Sequence, residues 1–387
     1  MKERIRLLDI LRGFAILGTL GTNVWFFAYA GDTFATDQIA DEYENGSFLE
    51  SLVSMFVYGK MLSLLTIMFG VGLELKYQQA KRKDTPWPGT YLWILLFLFI
   101  EGFVHFTLVM EYDVLMSYAV TGLLVAYIVR GGSRRIKKGM VFSGVIHLLM
   151  MSCLMLYSLS EMESATDDQS GEPALEEQLP ETWISQVQER LQYFFMYREE
   201  AVFIIPMNTF LFLLGVRMMR AGVFYANERG QSLRKILFRI GLWIGLPLNA
   251  LVFVPNDLVE FVVRYAFSPF LSIFYIAVIA KLLARTESWF MWTWFEYVGK
   301  MALSCYILQN IICSILFYSW GLGLSGKINA PLIVLAWLLI SLLQIAISAV
   351  CLKIWRIGPM EYIRSRALRR VTIKKQHKGD RHNVFKK

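Results

Sequence analysis

Residues 332–353 have the sequence LIVLAWLLISLLQIAISAVCLK. No charged side chain occurs from Leu332 to Leu352, and a helix needs about 20 apolar residues to cross a hydrocarbon core about 30 Å thick. The rest of the chain is similar, because 56% of its 387 residues are hydrophobic and only 18% are charged. Soluble domains are about a quarter charged. The sequence therefore predicts an all-α, polytopic helical membrane protein.

Ten apolar segments of about this length can be identified along the chain. They are residues 11–30, 52–75, 91–109, 114–129, 140–159, 201–219, 240–254, 261–283, 297–319 and 332–353. We therefore predict about ten transmembrane helices. An even number of spans returns the C-terminus to the side of the membrane on which the chain starts.

Lys and Arg residues collect in alternate loops, and short basic loops are retained in the cytoplasm. Residues 31–50 contain six acidic residues and no Lys or Arg, and residues 161–200 contain eleven acidic residues and two arginines. The stretches 76–83, 130–138 and 217–239 are basic. This alternation predicts that both termini are cytoplasmic and that the two acidic loops are extracytoplasmic.

Composition divides the chain into four parts. Residues 1–160 and 201–356 form two membrane halves, residues 161–200 an acidic extracytoplasmic loop, and residues 357–387 a basic cytoplasmic tail. Residues 357–370 are predicted as a short interfacial helix, and the Lys and Arg residues after it are expected to contact anionic lipid headgroups. The bilayer accounts for this charge without a nucleic-acid partner. The four cysteines lack metal-ligand spacing, so no metal site is predicted.

Polar residues at the start of the first span form one candidate site. Arg6, Asp9 and Arg12 lie three residues apart, so Asp9 can pair with both arginines on one side of the helix. At 100° per residue, Arg12, Thr19 and Asn23 lie within about 20° of one line along the helix. These residues either anchor the helix at the interface or belong to a polar interior, and Asn23, deep in the span, favours the interior.

A second set of polar residues lies towards the outer half of the third and fourth spans. Glu101 and His105 are four residues apart and share a helix face, and Glu111 and Asp113 precede the fourth span. A histidine beside a carboxylate can act as a general base, but such residues can equally form an interhelical hydrogen bond that locks packing. Lys60 either precedes the second span or faces a polar cavity.

The segment 6–15, RLLDILRGFA, followed by Gly18 and Asn23, resembles the opening of the YeiB-like bacterial membrane proteins, the family called domain of unknown function 418. The likeness covers nearly the whole chain. Further segments that resemble the family are 59–61 with 69–72, 102–105, 113–115 with 118–119, 299–303 with Tyr306, and 358–362. The resemblance implies a multi-pass protein of the bacterial plasma membrane, in a family whose activity is largely unknown.

The N-terminal half of that family is similar to transmembrane acyltransferases of the heparan-alpha-glucosaminide N-acetyltransferase type, which share the Arg-x-x-Asp-x-x-Arg-Gly motif. This resemblance implies acyl transfer from cytoplasmic acyl-CoA to an extracytoplasmic acceptor, either an envelope glycan or a small molecule. Arg6 and Arg12 would bind the phosphates of the donor, and Asp9 would orient them. One departure is that residues 31–50 lack the histidine that those enzymes carry in their first luminal region.

Under this hypothesis His105 deprotonates the acceptor with support from Glu101 or Asp113, and Lys60 neutralises developing negative charge. Acyl-CoA is the implied co-substrate, and no cofactor is implied. The alternative is a membrane transporter or export accessory protein without acyltransferase activity. In that case the ionisable residues inside the spans would serve the transported substrate.

Overall fold

A computed structural model describes residues 5–29, 48–167 and 182–369. Within these ranges the regular secondary structure is helical. The helices are α1 (Arg6–Tyr29), α2 (Phe48–Phe56), α3 (Lys60–Arg82), α4 (Tyr91–Leu108), α5 (Leu115–Arg130), α6 (Gly132–Asp167), α7 (Trp183–Gln192), α8 (Phe194–Tyr197), α9 (Glu199–Ala221), α10 (Glu228–Ile240), α11 (Leu246–Ala250), α12 (Asp257–Val262), α13 (Ser268–Arg285), α14 (Phe290–Lys300), α15 (Ala302–Phe317), α16 (Ala330–Trp355) and α17 (359–369). π-helical turns at Gly241–Gly245 and Val263–Phe267 join α10 to α11 and α12 to α13.

Eight helical segments in the described ranges are long and apolar enough to cross a membrane. α14 and α15 pass the same test only as a pair, and they are bent by 85° at the break between them. α5 is apolar but shorter, with 16 residues. Each predicted span thus coincides with helix, and the class of polytopic helical membrane protein is confirmed. The count of ten spans and the cytoplasmic location of both termini remain predictions.

α1 is buried along almost its whole length and packs against α3, α14, α15 and α16. Two glycines let α1 and α14 approach closely. A Cβ atom at Gly13 would lie 1.9 Å from the carbonyl oxygen of Phe295, and one at Gly299 would lie 1.8 Å from that of Asp9. Small residues at such contacts allow close helix packing inside a membrane. This contact brings the polar end of α14 beside the start of α1.

The second predicted span is divided in the structure. α2 ends at Phe56, and Gly59 adopts a φ of +71° directly before α3 begins at Lys60. Glycine adopts this left-handed conformation at little cost, which is why the chain can turn sharply here. The sequence left open whether Lys60 precedes the second span, and in the structure α2 and α3 together form the apolar helical segment Phe48–Arg82 that contains it.

The second acidic loop contains more helix than the sequence predicted. α6 continues to Asp167, and α7 and α8 follow at residues 183–197. The Thr182 and Ser185 side chains form a reciprocal capping box at the start of α7. Residues 30–47 and 168–181 lie outside the described residues, as does the tail after Arg369. The helix predicted near the start of the tail is present as α17.

Candidate functional site

A large cavity lies at the end of the bundle where α1 and α10 begin and where α3 and α13 end. Its volume is about 1360 Å³, and cationic side chains outnumber acidic ones on its wall. The cations are Arg6, Arg12, Arg82, Arg234, Lys235, Arg239, Lys281 and Arg285, and the acids are Asp9 and Glu287. We call this space the basic cavity. Its excess of positive charge favours an anionic ligand.

Carboxylates position Arg6 and Arg12 at the wall of the basic cavity. The Nη1 atom of Arg12 donates to Oδ1 of Asp9 at 3.2 Å, and the Nε atom of Arg6 donates to Oε2 of Glu296 at 2.8 Å. Lys300 lies 2.5 Å from the other oxygen of Glu296. Glu296 on α14 is therefore a positioning residue for Arg6 that the sequence analysis did not predict.

A chain of buried hydrogen bonds lies further along α1 and links it to α4 and α15. The Nδ1 atom of His105 lies 2.9 Å from Oδ1 of Asp113, and its Nε2 atom lies 3.2 Å from Nδ2 of Asn310. Asn23 donates from its Nδ2 atom to Oδ1 of Asn310 at 2.9 Å. The hydroxyl of Tyr306 donates to Oδ1 of Asp113 at 3.4 Å. We call these five residues the His105 network; all five are buried.

One protonation pattern satisfies the whole network. Asn310 uses its amide oxygen to accept from Asn23, so its amide nitrogen donates to Nε2 of His105. In this arrangement Nε2 of His105 accepts from Asn310 and Nδ1 donates to Asp113. A neutral imidazole oriented by a carboxylate has the arrangement that a general base requires. Because the network joins three helices, it also fixes their packing.

Two arginines from the second acidic loop hold the connection between α4 and α5. The Nε atom of Arg190 donates to Oε2 of Glu111 at 3.1 Å. Arg198 donates to the carbonyl oxygens of both Glu111 and Asp113. The Oδ2 atom of Asp113 in turn accepts from the backbone N–H of Leu115 at 2.8 Å and so caps α5. These arginines were not predicted as site residues, although they are the two basic residues in that loop.

Asp113 also lines a second cavity, of about 240 Å³, towards the other end of α1. Asn23 and Tyr306 share its wall with Arg198 and residues of α9 and of the π-helical turn before α13. His105 is not among the lining residues, since Asp113 and Asn310 lie against its two ring nitrogens. We call this space the distal cavity.

A third cavity, of about 370 Å³, lies between the other two. Arg12 lines both this middle cavity and the basic cavity, whereas Val114 and Tyr306 line both the middle and the distal cavity. From Asp9 to Asn23, α1 rises roughly 21 Å at 1.5 Å per residue. The three cavities therefore form a row along α1, in which neighbouring cavities share wall residues.

Two predicted site residues lie apart from the His105 network. Lys60 is fully buried, and its Nζ atom donates to the carbonyl oxygen of Ser54 at 2.8 Å. It is not a wall residue of the basic, middle or distal cavity as these are formed by the described residues. The carboxylate of Glu101 lies 3.8 Å from Nη1 of Arg364 on α17. Asp113, rather than Glu101, is therefore the carboxylate that pairs with His105.

Tyr306 and Asn310 are members of the network that sequence reasoning missed as site residues. They are four residues apart, so they share one face of α15. This polar face could have indicated a site from the sequence, because polar side chains inside an apolar helix are candidates for function. Their partners could not be read from a local pattern, since Asn310 and His105 are 205 positions apart.

The fold and its cavities define a polytopic helical membrane protein with a polar interior. Residues 218–373 match the family described as Protein of unknown function (DUF418). The chain is similar to the uncharacterized protein YxaH of Bacillus subtilis (strain 168), with 26% identity over 390 residues and 93% of each chain covered. It is also 26% identical to the uncharacterized protein YeiB of Escherichia coli (strain K12), over 93% of this chain and 95% of YeiB.

An uncharacterized 39.9 kDa protein of Bacillus acidopullulyticus is 26% identical over 94% of this chain and 93% of its own length. No solved structure matches the chain. The family resemblance indicated by the sequence is confirmed by the match of residues 218–373 and by 26% identity to YxaH and YeiB over most of the chain. These relatives are themselves uncharacterized, so the relationship to acyltransferases stays a prediction.

Proposed function

We propose that the protein transfers an acyl group from acyl-CoA in the basic cavity to an acceptor in the distal cavity. The observation that supports this is the row of cavities along α1, with clustered cations at one end and the His105–Asp113 pair beside the other. In the predicted orientation the basic cavity opens to the cytoplasm, where acyl-CoA is available. The distal cavity then faces the extracytoplasmic side, where an envelope glycan or small-molecule acceptor is found.

The basic cavity suits a donor that combines phosphate groups with an apolar chain. Arg6 and Arg12 are held at its wall from α1, and Arg82, Arg239 and Arg285 add positive charge from three other helices. Hydrogen bonds from arginine to phosphate are charge-assisted and about twice as strong as neutral ones. Arg12 also lines the middle cavity, so a thioester beside it would lie at the start of the path towards Asp113.

The His105 network provides the groups that acyl transfer needs. The acceptor oxygen or nitrogen attacks the thioester carbonyl carbon while its proton passes to Nε2 of His105, and the CoA thiolate leaves and takes that proton. Asp113 stabilises the imidazolium formed between these steps. Asn310 covers Nε2 in the structure, so its amide must turn aside for the acceptor. Tyr306 lines both cavities, and its hydroxyl would donate to the developing oxyanion after turning away from Asp113.

Binding and transfer can be tested separately with purified protein in nanodiscs. Labelled acetyl-CoA is titrated first, and transfer of label to envelope glycan fractions is measured second. We expect Arg12→Gln to weaken acetyl-CoA binding about tenfold, because a charged hydrogen bond is lost. His105→Gln should retain binding and lose transfer. Arg130→Gln, an exposed arginine at the end of α5, is the matched control. Absence of both CoA binding and transfer in the wild type would refute the proposal.

The row of cavities also favours a second function, that of a transporter without acyltransferase activity. A path of polar side chains along a central helix is what a transported substrate would require. In that case substrate flux in proteoliposomes would be independent of CoA and would fall in Asp113→Asn. CoA-dependent transfer of label to an acceptor would exclude a transporter without acyltransferase activity.

A further inference from the structure

Arg264 lies at the wall of the distal cavity, and its guanidinium group is surrounded by aromatic rings. Its guanidinium group sits over three aromatic rings, at 5.2 Å from the ring centre of Phe26, 5.7 Å from that of Tyr58 and 5.3 Å from that of Tyr265. Among the described residues it forms no ion pair and no hydrogen bond. A guanidinium group has five N–H donors, and none of them is used by another described residue, so Arg264 can donate to a ligand in the cavity.

Three carboxylates in this part of the protein accept hydrogen bonds from groups other than Arg264. Glu200 lines the same cavity, and its Oε1 atom accepts from the hydroxyl of Tyr265 at 3.0 Å. Glu260 accepts from Ser54 at 3.4 Å. Asp113 binds His105 and the start of α5. Glu200 and Glu260 attract Arg264 electrostatically, but neither forms an ion pair with it, so its paired N–H donors can still bind an oxyanion.

The backbone that carries Arg264 is held from several directions. Arg264 belongs to the π-helical turn Val263–Phe267, and such turns often occur at functional sites. Side chains from other segments bond the carbonyl oxygens of this turn: His147 binds that of Tyr265 at 3.0 Å and Asn249 binds that of Phe267 at 3.0 Å. His147 therefore helps to hold this turn.

Gly59 packs closely against the same turn. A Cβ atom at this position would lie 2.7 Å from the carbonyl oxygen of Arg264, so only glycine allows the corner before α3 to pack this closely. The ring of Phe26 in α1 and the ring of Tyr58, the residue before Gly59, flank the guanidinium. The side chain is thereby fixed before any ligand binds, which lowers the entropy cost of binding.

We infer that Arg264 binds an anionic oxygen group, a phosphate or a carboxylate, on the molecule that occupies the distal cavity. Arginine matches both groups through paired N–H donors. Arg198 lines the same wall, and its Nε atom is buried without a hydrogen-bond partner, which adds a second cation. In terms of the proposed function, on which this step rests, the acceptor is an anionic molecule. The anion is carried either by a lipid headgroup or by a soluble molecule.

The test uses full-length protein in phosphatidylcholine nanodiscs and measures thermal stability against inorganic phosphate or acetate, with chloride replaced at constant ionic strength. We expect saturable stabilisation of the wild type and of Arg130→Gln. Arg264→Gln should need about tenfold more anion or more, because charge-assisted hydrogen bonds are lost. Arg264→Lys, which keeps the charge but not the paired donors, should fall between them.

Phosphatidylglycerol nanodiscs distinguish the two sources of the anion. If a headgroup occupies the site, the wild type is more stable in phosphatidylglycerol than in phosphatidylcholine and responds little to added phosphate. Arg264→Gln should then lack this extra stability in phosphatidylglycerol. Equal responses of wild type and Arg264→Gln in both lipids, or no response of the wild type in either, would overturn the inference. Acetyl-CoA binding is measured in parallel. If the protein binds the anion but not acetyl-CoA, the proposed function is refuted and the anion site at Arg264 stands.

Discussion

Replacing Asp113 with alanine tests whether the His105 network is organised around this carboxylate. Its Oδ1 atom accepts from His105 at 2.9 Å and from Tyr306 at 3.4 Å. Its Oδ2 atom accepts from the backbone N–H groups of Leu115 at 2.8 Å and Met116 at 3.4 Å. The substitution removes all four bonds and leaves their donors without partners in a buried part of the bundle.

The expected loss of stability follows from the two short bonds. A buried donor left without its acceptor costs about 1–3 kcal/mol, and loss of a helix cap costs about 0.5–2 kcal/mol. The bond to Leu115 is that cap, so it is counted once. Adding the bond to His105 gives about 3 kcal/mol, or about a hundredfold in the folding equilibrium.

The free energy of unfolding is measured by SDS titration in mixed micelles. Ser152→Ala is the control, because it removes an exposed hydroxyl that bonds within its own helix. A double-mutant cycle of Asp113→Ala with His105→Ala should show a coupling of about 1 kcal/mol or more, since the residues are in contact. A loss for Asp113→Ala no larger than that of the control, or strict additivity, would refute the reasoning.

Three further substitutions test the packing and the capping. Gly299→Ala should lower the melting temperature strongly or prevent folding, because its Cβ atom would lie 1.8 Å from the Asp9 carbonyl oxygen. Glu74→Ala should cost about 3 kcal/mol in SDS unfolding, because it leaves Arg220, held by two 2.9 Å bonds, without its partner. Thr182→Ala should cost about 1 kcal/mol of local stability and speed tryptic cleavage within α7, because the capping box is lost.

Each of these substitutions has its own control and its own contradicting result. For Gly299 the control is Gly144→Ala, whose Cβ would meet only the side chain of Phe210 at 3.3 Å; equal melting temperatures would contradict the close contact of α1 and α14. For Glu74, the comparison is Glu74→Gln; wild-type stability of this variant would contradict the need for a charged partner of Arg220. For Thr182, the control is Thr182→Ser, which keeps the capping hydroxyl and should preserve the wild-type rate of cleavage.

Local chemistry made much of the fold and part of the site predictable. The length and hydrophobicity of each span are properties of continuous sequence, so α1 and α16 were found close to their observed limits. His105 and Asp113 were also selected locally, because ionisable residues in apolar helices are costly without a role. The placement of Asn23 followed from helix periodicity, which puts it on the same line as Arg12.

The remaining features depend on contacts between distant parts of the chain. Arg6 binds Glu296, 290 positions away, and no pattern around Arg6 indicates this partner. Glu101 shares a helix face with His105, yet it lies towards Arg364, because α17 packs against that part of α4. Lys60 was a candidate cavity residue, but its ammonium group donates to the carbonyl oxygen of Ser54 in α2.

Delivering the donor to one side of the membrane tests whether the protein transfers an acyl group from cytoplasmic acyl-CoA to an extracytoplasmic acceptor. Inverted membrane vesicles that contain the protein are given labelled acetyl-CoA on their cytoplasmic face, and label on acceptors inside the vesicles is measured. We predict transfer of label by the wild type and by Arg130→Gln, reduced transfer by Arg12→Gln at subsaturating acetyl-CoA, and loss of transfer by His105→Gln. Transfer by His105→Gln at the wild-type rate, or no transfer by the wild type, would contradict the proposed function.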